Sequence, residues 1–308
     1  MNLRPHIPVL LNEVIHSLSV KEDGVYVDGT FGAGGYTEAI LNAASNTKVF
    51  AIDRDKTAID AGQPLLKKYK NRLTLIEGCF GNMAELVHEK VDGIVLDIGV
   101  SSMQIDRPER GFSFQKNGPL DMRMSQSGLT AADVVNTYSE KQLADIIYTY
   151  GEERFSRQIA RQIVSVRKTQ PFEDTLSLAK AIHSVMPHKQ GDIDSATRTF
   201  QALRIYVNDE LGELERALNA SVRLLKKGGI LSVVSFHSLE DRIVKNFFLK
   251  MTAPAKHVNK YKQENEQVSP FKLLYKKPIC ATAEELNANP RSRSAHLRSA
   301  IYLGEDVQ

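Results

Sequence analysis

The chain has 308 residues, of which 42% are hydrophobic and 25% charged, with a formal net charge of +3. This composition is typical of a globular protein and excludes a disordered chain, a collagen-like repeat and a coiled coil. The longest apolar runs are far shorter than the ~20 residues of a membrane helix, and the N-terminus has no signal-peptide pattern. Cys79 and Cys280 form no disulfide framework. We expect both to be reduced, buried thiols in a cytoplasmic protein.

Over the first hundred residues, short apolar runs alternate with helical patterns. The runs rich in Val, Ile and Leu predict strands at residues 24–30, 48–53, 73–78 and 92–99. Such runs show no alternation of polar and apolar residues, which indicates strands that are covered on both faces and therefore a parallel sheet. Helical crossovers between parallel strands are right-handed and produce a doubly wound sheet.

The alternation then stops, and every segment from residue 130 to about residue 225 has helical periodicity. Strand patterns return at residues 228–238, near 272–276 and near 299–303. The length is about twice that of a usual domain. We therefore predict an α/β domain of residues 1–105 and 213–308, interrupted by an all-helical insertion of residues 106–212 that recognises the substrate.

A glycine-rich segment, DGTFGAGG, ends the first predicted strand at Asp28–Gly35. Its glycines permit a tight turn and the close approach of a ligand. The segment resembles the loop of class I S-adenosylmethionine-dependent methyltransferases. A dinucleotide-binding loop would require Gly or Ala at position 37, which is Thr37 here. Asp28 would also crowd a pyrophosphate, whereas it suits the amino group of a methionine moiety.

Further side chains at strand ends match the same ligand. Asp53 closes the second strand, where a carboxylate accepts hydrogen bonds from ribose hydroxyls. Phe80 follows the third strand and is placed to face an adenine ring, and Asp97 ends the fourth strand beside the expected switch in strand order. Ligands bind at the carboxyl ends of strands at such a switch point. Together these residues predict an S-adenosylmethionine site.

Methyl transfer is an in-line displacement, so the protein must align the nucleophile, exclude water and accept a proton. None of the predicted strands ends in a cysteine nucleophile, which favours an exocyclic amine or a hydroxyl as target over a ring carbon. The segment after Asp97 lacks the Pro-Pro-aromatic sequence that amine-methylating enzymes use to hold a base. The candidates for that aromatic residue are Phe112, Phe114 and Phe236, and ordinary core packing is the alternative for each.

Eight sequence strings resemble those of one family and occur in its order: DGTFGAGG, DIGVSSMQID, ERGFSF, GPLDMRM, YGEERFSRQIA, ATRTFQALRI, SFHSLEDRIVK and NPRSRSAHLR. The family is the bacterial 16S ribosomal RNA cytosine-N4-methyltransferases, and the resemblance extends from His6 to Ile301. It implies a class I methyltransferase fold with a helical insertion and S-adenosylmethionine as cofactor. The implied activity is methylation of N4 of a decoding-centre (P-site) cytidine in the small-subunit RNA.

Carried onto matching positions, the resemblance implies cofactor contacts at Gly34, Gly35, Tyr36, Asp53, Phe80, Asp97 and Gln104. Many members have His at the position of Tyr36, and only a contact through the backbone would tolerate this change. Asp97 is also a candidate catalytic residue, because it could accept an N–H of the cytosine amine; binding the cofactor alone is the alternative. His237, the one histidine at a strand end, could take the proton or contact phosphate, or be structural. The histidine spacing predicts no metal site.

Positive charge is concentrated near the C-terminus. Twelve Lys and Arg and four Asp and Glu lie between Arg242 and Arg298, so this segment carries +8 and the rest of the chain −5. A basic region of this kind indicates either a polyanionic partner or a solvated lysine-rich surface. Because guanidinium groups bind phosphate and stack on bases, the expected RNA-binding residues are Arg123, Arg242, Arg291 and Arg293. Arg204 lies on a helix with Phe200 and Leu203, and we expect it to be structural.

Three other functions remain open from the sequence. A nicotinamide-dependent oxidoreductase would share the sheet, the glycines and Asp53, although Thr37 and Asp28 argue against it. A non-catalytic ribosome-assembly factor could keep the fold without the chemistry, and a methyltransferase of the same fold could act on DNA or protein. The sequence predicts no membrane association and leaves the oligomeric state open.

Overall fold

The structure is a computed structural model that describes residues 8–125, 127–186, 194–252 and 269–304. Two compact units make up the chain, Met1–Gly99 with Leu211–Gln308 and Val100–Glu210. No helix in these described ranges is long and apolar enough to cross a membrane. The assignment of the helical unit to substrate recognition stays a prediction.

The first unit contains one mixed sheet. Its strands are β1 (Val25–Asp28), β2 (Lys48–Asp53), β3 (Leu73–Glu77), β4 (Val91–Asp97), β5 (Leu225–Ser235), β6 (Phe271–Leu273), β7 (Ile279–Cys280) and β8 (His296–Tyr302). The order is β3-β2-β1-β4-β5-β8-β6, and β7 pairs with β8. Strands β1 to β5 are parallel and β8 is antiparallel to β5. The predicted mostly parallel, doubly wound sheet is confirmed, with its switch point between β1 and β4.

The helices in chain order are α1 (Leu11–Leu18), α2 (Gly35–Ala43), α3 (Lys56–Ala61), α4 (Gln63–Tyr69), α5 (Met83–Leu86), α6 (Ser102–Asp106), α7 (Ala131–Thr137), α8 (Glu140–Gly151), α9 (Ser156–Arg167), α10 (Thr175–Val185), α11 (Thr197–Asn208), α12 (Glu210–Leu224), α13 (Ser238–Thr252) and α14 (Ala283–Ala288). The apolar run at the N-terminus, for which the sequence predicts no element, forms α1. The helical pattern of residues 55–69 predicts one helix with a weak point at Pro64. In the structure this segment divides at Gly62 into α3 and α4, and Pro64 lies in the first turn of α4. Proline is tolerated there because that backbone nitrogen has no helical acceptor.

The central strands are buried on both faces, as their composition predicts. All four residues of β1 and the first six of β4 are buried. Ile94 and Leu96 of β4 belong to a core to which α12 contributes Leu218 and α13 contributes Phe248. Covering each face with helices removes these side chains from water, and burial of each stabilises the fold by about 1.5–3 kcal/mol.

The two cysteines differ in exposure. Cys79 is half-buried, and burial raises the pKa of its thiol. Cys280 is exposed at the end of β7, which lies at the side of the sheet. The expectation of two buried thiols is therefore wrong for Cys280, because its two-residue strand lies at the side of the sheet, where it pairs with β8.

The second unit has its own core, formed by α7 to α11 with side chains such as Leu143, Ile159 and Leu203. Its long Gly- and Pro-containing segment is fixed to α11 by one side chain. The amide of Asn208 accepts a hydrogen bond from the Met124 backbone N–H at 2.8 Å and donates to the Met122 carbonyl at 2.7 Å. Asn208 is only 2% exposed, so these backbone groups have little access to water.

We expect Asn208→Ala to lower the free energy of unfolding of this unit. Loss of the amide leaves buried backbone groups without partners, at a cost of about 1–3 kcal/mol. Urea unfolding followed by circular dichroism measures the change. The control is Asn219→Ala, because Asn219 is exposed and its side-chain amide donates a hydrogen bond to the Glu215 carbonyl of its own helix. Equal effects of the two substitutions would contradict the assignment.

Candidate active site

The predicted residues of the α/β unit converge on one edge of the sheet. Strands β1, β2, β4 and β5 are parallel, so their carboxyl ends lie together. β1 ends at Asp28, β2 at Asp53 and β4 at Asp97. The antiparallel strand β8 begins at this edge, since His296 pairs with Ser235 at the end of β5.

Asp28 is fully buried and binds its own loop. One carboxylate oxygen accepts from the Thr30 backbone N–H at 3.1 Å, and the other accepts from the Thr37 hydroxyl at 2.7 Å. Burial raises the pKa of this carboxyl to about 6. Asp28 therefore anchors the glycine-rich loop to the start of α2, and the expectation that it meets a ligand amino group has no exposed oxygen to support it.

Thr30 connects this loop to the neighbouring strand. Its hydroxyl accepts a hydrogen bond from the Asp97 backbone N–H at 2.7 Å. The backbone of Thr30 is bound to Asp28 and its side chain to Asp97, so one residue links the ends of β1 and β4. Sequence reasoning missed Thr30, because a threonine in a loop has no pattern that distinguishes it from a solvated one.

Asp53 closes the glycine loop from the side of β2. Its oxygens accept from the backbone N–H of Gly32 and of Asp55, each at 2.8 Å. The side chain is partly exposed, so it retains acceptor capacity toward the edge of the sheet. Burial raises the pKa of Asp53 to about 6, and the two backbone hydrogen bonds limit this rise.

Gly34 and Gly35 lack side chains for different reasons. Gly34 has φ of 81°, a left-handed conformation, at the start of α2. At Gly35 an added Cβ would lie 2.1 Å from the ring of Pro8, so packing within the protein also excludes a side chain there. Tyr36 turns its side chain into the core and donates its hydroxyl to the Val9 carbonyl. Only its backbone is left for the predicted cofactor contact.

Phe80 begins a short 3₁₀ turn after β3 and is partly buried against the core. Its Cβ would lie 3.3 Å from a methyl group added at Gly29, so Phe80 is close to the end of β1. The turn is held by Glu213 of α12, whose carboxylate accepts the Gly81 N–H at 2.9 Å. This contact between distant parts of the sequence places an aromatic ring at the ligand edge.

Asp97 has an unsatisfied polar atom in this region. Its Oδ1 is buried and makes no hydrogen bond with any described residue. Burial, together with the nearby Asp28 and Glu240 carboxylates, raises the pKa of Asp97 well above its usual range. A buried acceptor without a partner is costly unless a ligand supplies the donor. Asp97 is therefore suited to bind a donor group or to hold a proton.

The turn after β5 carries Phe236 and His237. Glu240 is fully buried and accepts the backbone N–H groups of Phe236 at 2.8 Å and of His237 at 3.2 Å. His237 Nδ1 faces the Glu240 N–H at 3.4 Å, and Nε2 lies 2.9 Å from Glu240 Oε1. Nε2 is buried and makes no hydrogen bond with any described residue, so the structural and the reacting role of His237 both stay open. Sequence reasoning missed Glu240, although its position three residues after His237 is a capping signal.

Phe236 is the aromatic candidate that lies at this edge. A methyl group added at Gly99 would contact its ring at 3.4 Å, so Phe236 packs beside the segment that leaves Asp97. The other two candidates belong to the second unit. Phe114 packs against Phe200 with ring centroids 4.7 Å apart and ring planes inclined by 60°, as core aromatic residues do. Phe112 lies 5.8 Å from the Arg110 guanidinium.

Two other predicted site residues also lie in the second unit. Gln104 is buried in α6, where its side chain and that of Ser101 form a reciprocal capping box. Arg123 makes a bidentate pair with Asp121, with N–O distances of 2.9 and 2.7 Å. Arg204 pairs in the same way with Glu210, both at 2.8 Å, as an arginine with a structural role does.

The remaining arginines expected to bind RNA lie near the carboxyl edge. Arg242 is exposed in the first turns of α13, which follows β5. Arg291 and Arg293 are exposed on the 3₁₀ turn Pro290–Ser294, directly before β8 begins. Because β8 starts beside the end of β5, this turn belongs to the same edge as Asp97. The structure thus brings these three arginines to the side of the sheet that holds the acids.

These residues fit an adenosyl sulfonium ligand. Asp53 offers a partly exposed acceptor, and Asp97 Oδ1 requires a donor. The carboxylates also give this edge a negative potential, which matches a cation better than a pyrophosphate. The arrangement can therefore hold a positively charged nucleoside and orient a second reactant beside Asp97.

The stability of the protein should report the titration of Asp28. Its folded pKa of about 6 lies above the ordinary value of 3.8, so the folded state binds more protons than the unfolded state between these values. The free energy of unfolding should therefore fall as pH rises from about 4 to about 6, by roughly 3 kcal/mol from this group. Asp28→Asn should remove that part of the pH dependence in urea unfolding. If the free energy of unfolding of Asp28→Asn varied with pH as it does in the unaltered protein, Asp28 would not be the group responsible.

Comparison with known proteins gives the family. A family model described as the MraW methylase family matches residues 3–302. The ribosomal RNA small subunit methyltransferase H of Paramagnetospirillum magneticum is 56% identical over 97% of this chain and 96% of that protein. The protein of the same name from Parvibaculum lavamentivorans is 56% identical over 96% of this chain and 89% of that protein. These matches confirm the predicted methyltransferase, its fold and its cofactor, S-adenosylmethionine, and the chain belongs to the MraW methylase family.

Proposed function

We propose that this enzyme transfers a methyl group from S-adenosylmethionine to N4 of the decoding-centre (P-site) cytidine in 16S ribosomal RNA of the small subunit. The names of the relatives support ribosomal RNA of the small subunit as substrate. The observation that favours an amine as the methyl acceptor is Asp97 Oδ1, which is buried without a hydrogen-bond partner among the described residues. Asp97 lies at the switch point of the sheet.

The proposed cofactor contacts are the Gly34–Tyr36 backbone, the Asp53 carboxylate, Phe80 and Asp97, with Gln104 following from the family resemblance. Asp53 would accept ribose hydroxyls and Phe80 would cover the adenine ring. When bound, the cofactor supplies an electrophilic methyl group on a sulfonium. The buried carboxylates at this edge stabilise positive charge, because they act in a region from which water is largely excluded.

Asp97 would orient the reacting amine. Its Oδ1 can accept one N–H of the cytosine amino group, which directs the nitrogen lone pair toward the methyl donor. The raised pKa of Asp97 makes this carboxyl a suitable acceptor for the proton that the amine loses. A cytosine amine is only weakly basic, so alignment supplies more of the acceleration than proton removal does.

Phe236 would hold the base. It lies at the same edge as Asp97 and packs beside Gly99, where a flipped cytosine could stack on its ring. Glu240 and His237 would support this turn through the hydrogen bonds to its backbone. His237 remains the second candidate for contact with the proton or with phosphate.

Arg242, Arg291 and Arg293 would contact RNA phosphates around this edge, and Arg123 would do so from the second unit. Phosphate contacts of this kind make binding weaken steeply with salt. The substrate would place the enzyme in the bacterial cytoplasm. Family membership argues against a nicotinamide-dependent oxidoreductase. The intact acids at the strand ends argue against a non-catalytic assembly factor.

Mass mapping of small-subunit RNA from cells that lack this chain tests the proposal. One cytidine should lose a single methyl group, and the intact protein should restore it. Asp53→Ala and Asp97→Ala should each fail to restore it, because each removes an acceptor at the proposed site. A methylation pattern that is unchanged by deletion would rule out this substrate.

Thr30 provides a finer test of how Asp97 is positioned. Thr30→Val should weaken binding of the demethylated cofactor and slow methyl transfer, since the Asp97 backbone N–H loses its acceptor. Thr30→Ser keeps the hydroxyl and should restore both, as measured by calorimetry and tritium transfer. Thr137→Val is the matched control, because the exposed Thr137 hydroxyl donates to the Asp133 carbonyl of its own helix, away from Asp28 and Asp97. If Thr30→Ser behaves like Thr30→Val, the hydroxyl does not position Asp97.

A further inference from the structure

A second basic site lies at the opposite edge of the sheet, away from the candidate active site. A cavity of about 600 Å³ is lined by Lys90, Arg223, Lys226 and Lys227, together with Tyr302 and Gly304. Lys90 directly precedes β4, and Lys226 and Lys227 lie at the start of β5. The cations therefore surround the amino ends of the two central strands. β4 has seven residues, so this edge is about 20 Å from Asp97.

The cations outnumber the acids that pair with them. Asp92 pairs with both Lys226 and Lys21, each at 2.7 Å, and Glu85 pairs with Arg223 at 2.9 Å. Lys90 donates to the Arg223 carbonyl, and neither Lys90 nor Lys227 has a carboxylate partner among the described residues. Five cations and three acids are thus present, counting the exposed Glu89 that adjoins Lys90 in the sequence, which leaves an excess of two positive charges among these residues.

The pair of Arg223 with Glu85 is exposed at both ends, and exposed ion pairs contribute at most about 1 kcal/mol, so this pair is easily exchanged. Asp92 is buried and holds Lys226, whereas Lys90 and Lys227 are exposed and have no carboxylate partner among the described residues. The floor of the cavity includes buried Leu225 and Tyr302, which hold the ends of β5 and β8 in place. Exposed Lys and Arg side chains around this buried base suit an extended polyanion, because its phosphates are spaced along a backbone.

We propose that this cavity, formed by Lys90, Arg223, Lys226 and Lys227, binds the phosphate backbone of the RNA substrate at a segment distant from the methylated base. The inference rests on the proposed function, since it takes ribosomal RNA as the polyanion. RNA that reaches both edges must span at least the 20 Å length of the sheet. The enzyme then recognises a folded RNA by two separated contacts, one at the reacting base and one at its backbone.

The test compares a long and a short RNA. The probes are a full-length 16S RNA transcript and a short hairpin that carries the target cytidine. Lys90→Gln with Lys227→Gln should make the plot of log affinity against log salt shallower by about 1.5 to 2 for the long RNA. The slope for the hairpin should not change, because the hairpin does not reach this cavity. A control with Lys67→Gln and Lys180→Gln removes two exposed charges outside it.

Two further measurements separate the possible failures. Binding of the demethylated cofactor and thermal unfolding should be unchanged in the double variant, which shows that the fold and the active site are intact. If the unaltered enzyme binds 16S RNA and methylates it, but the double variant keeps the same salt slope, the cavity does not bind RNA. If the unaltered enzyme neither binds nor methylates 16S RNA, the proposed function itself fails.

Discussion

The burial of the Asp28 carboxylate is the constraint on which the active edge depends. A buried charge is tolerated only where hydrogen bonds replace the lost water, and Asp28 obtains them from the Thr30 backbone and the Thr37 hydroxyl. Those bonds fix the loop between β1 and α2. The Thr30 hydroxyl then fixes the backbone of Asp97 on the neighbouring strand. The positions of the β1–α2 loop and of the end of β4 are thus linked through a single buried side chain.

The same edge concentrates negative charge at a cost in stability. Asp28, Asp53 and Asp97 all have raised pKa values, and Asp97 is further affected by Glu240. Like charges in a water-poor region oppose folding, so the arrangement is explained better by a cationic ligand than by packing. A protein that binds a sulfonium gains from carboxylates that are already in place, because they need no reorganisation when the ligand arrives.

The acids and the arginines occupy different positions at the carboxyl edge. Carboxylates line the strand ends, whereas Arg242, Arg291 and Arg293 are exposed around them. Such a pattern suits two ligands of opposite charge, a cationic cofactor inside and an RNA backbone outside. The cavity at the amino edge is a second basic surface on the same sheet. A large folded RNA can contact both edges of the sheet, whereas a nucleotide cannot.

Much of the fold was predictable because it depends on local patterns. Continuous apolar runs indicate buried parallel strands, and β2 matches its predicted range from Lys48 to Asp53. The helical pattern of residues 196–225 predicts a break near Asp209. The structure divides this segment into α11 and α12 at Asp209, which adopts a left-handed conformation with φ of 48°. α1 and the short strand β7 were not predicted, because a short element is stabilised by its neighbours and has little periodicity of its own.

The sequence by itself determined which residue types lie at the ends of the strands, and therefore the kind of ligand and the family. Motif spacing is a property of the chain, so Asp53, Asp97 and the glycine loop could be recognised without coordinates. Only the tertiary structure decided which partners the side chains at this edge have. It showed that Asp28 binds its own loop, that the Tyr36 side chain belongs to the core and that both nitrogens of His237 face Glu240. These outcomes depend on contacts between segments distant in the chain and on which atoms are left without partners, and neither is encoded in local spacing.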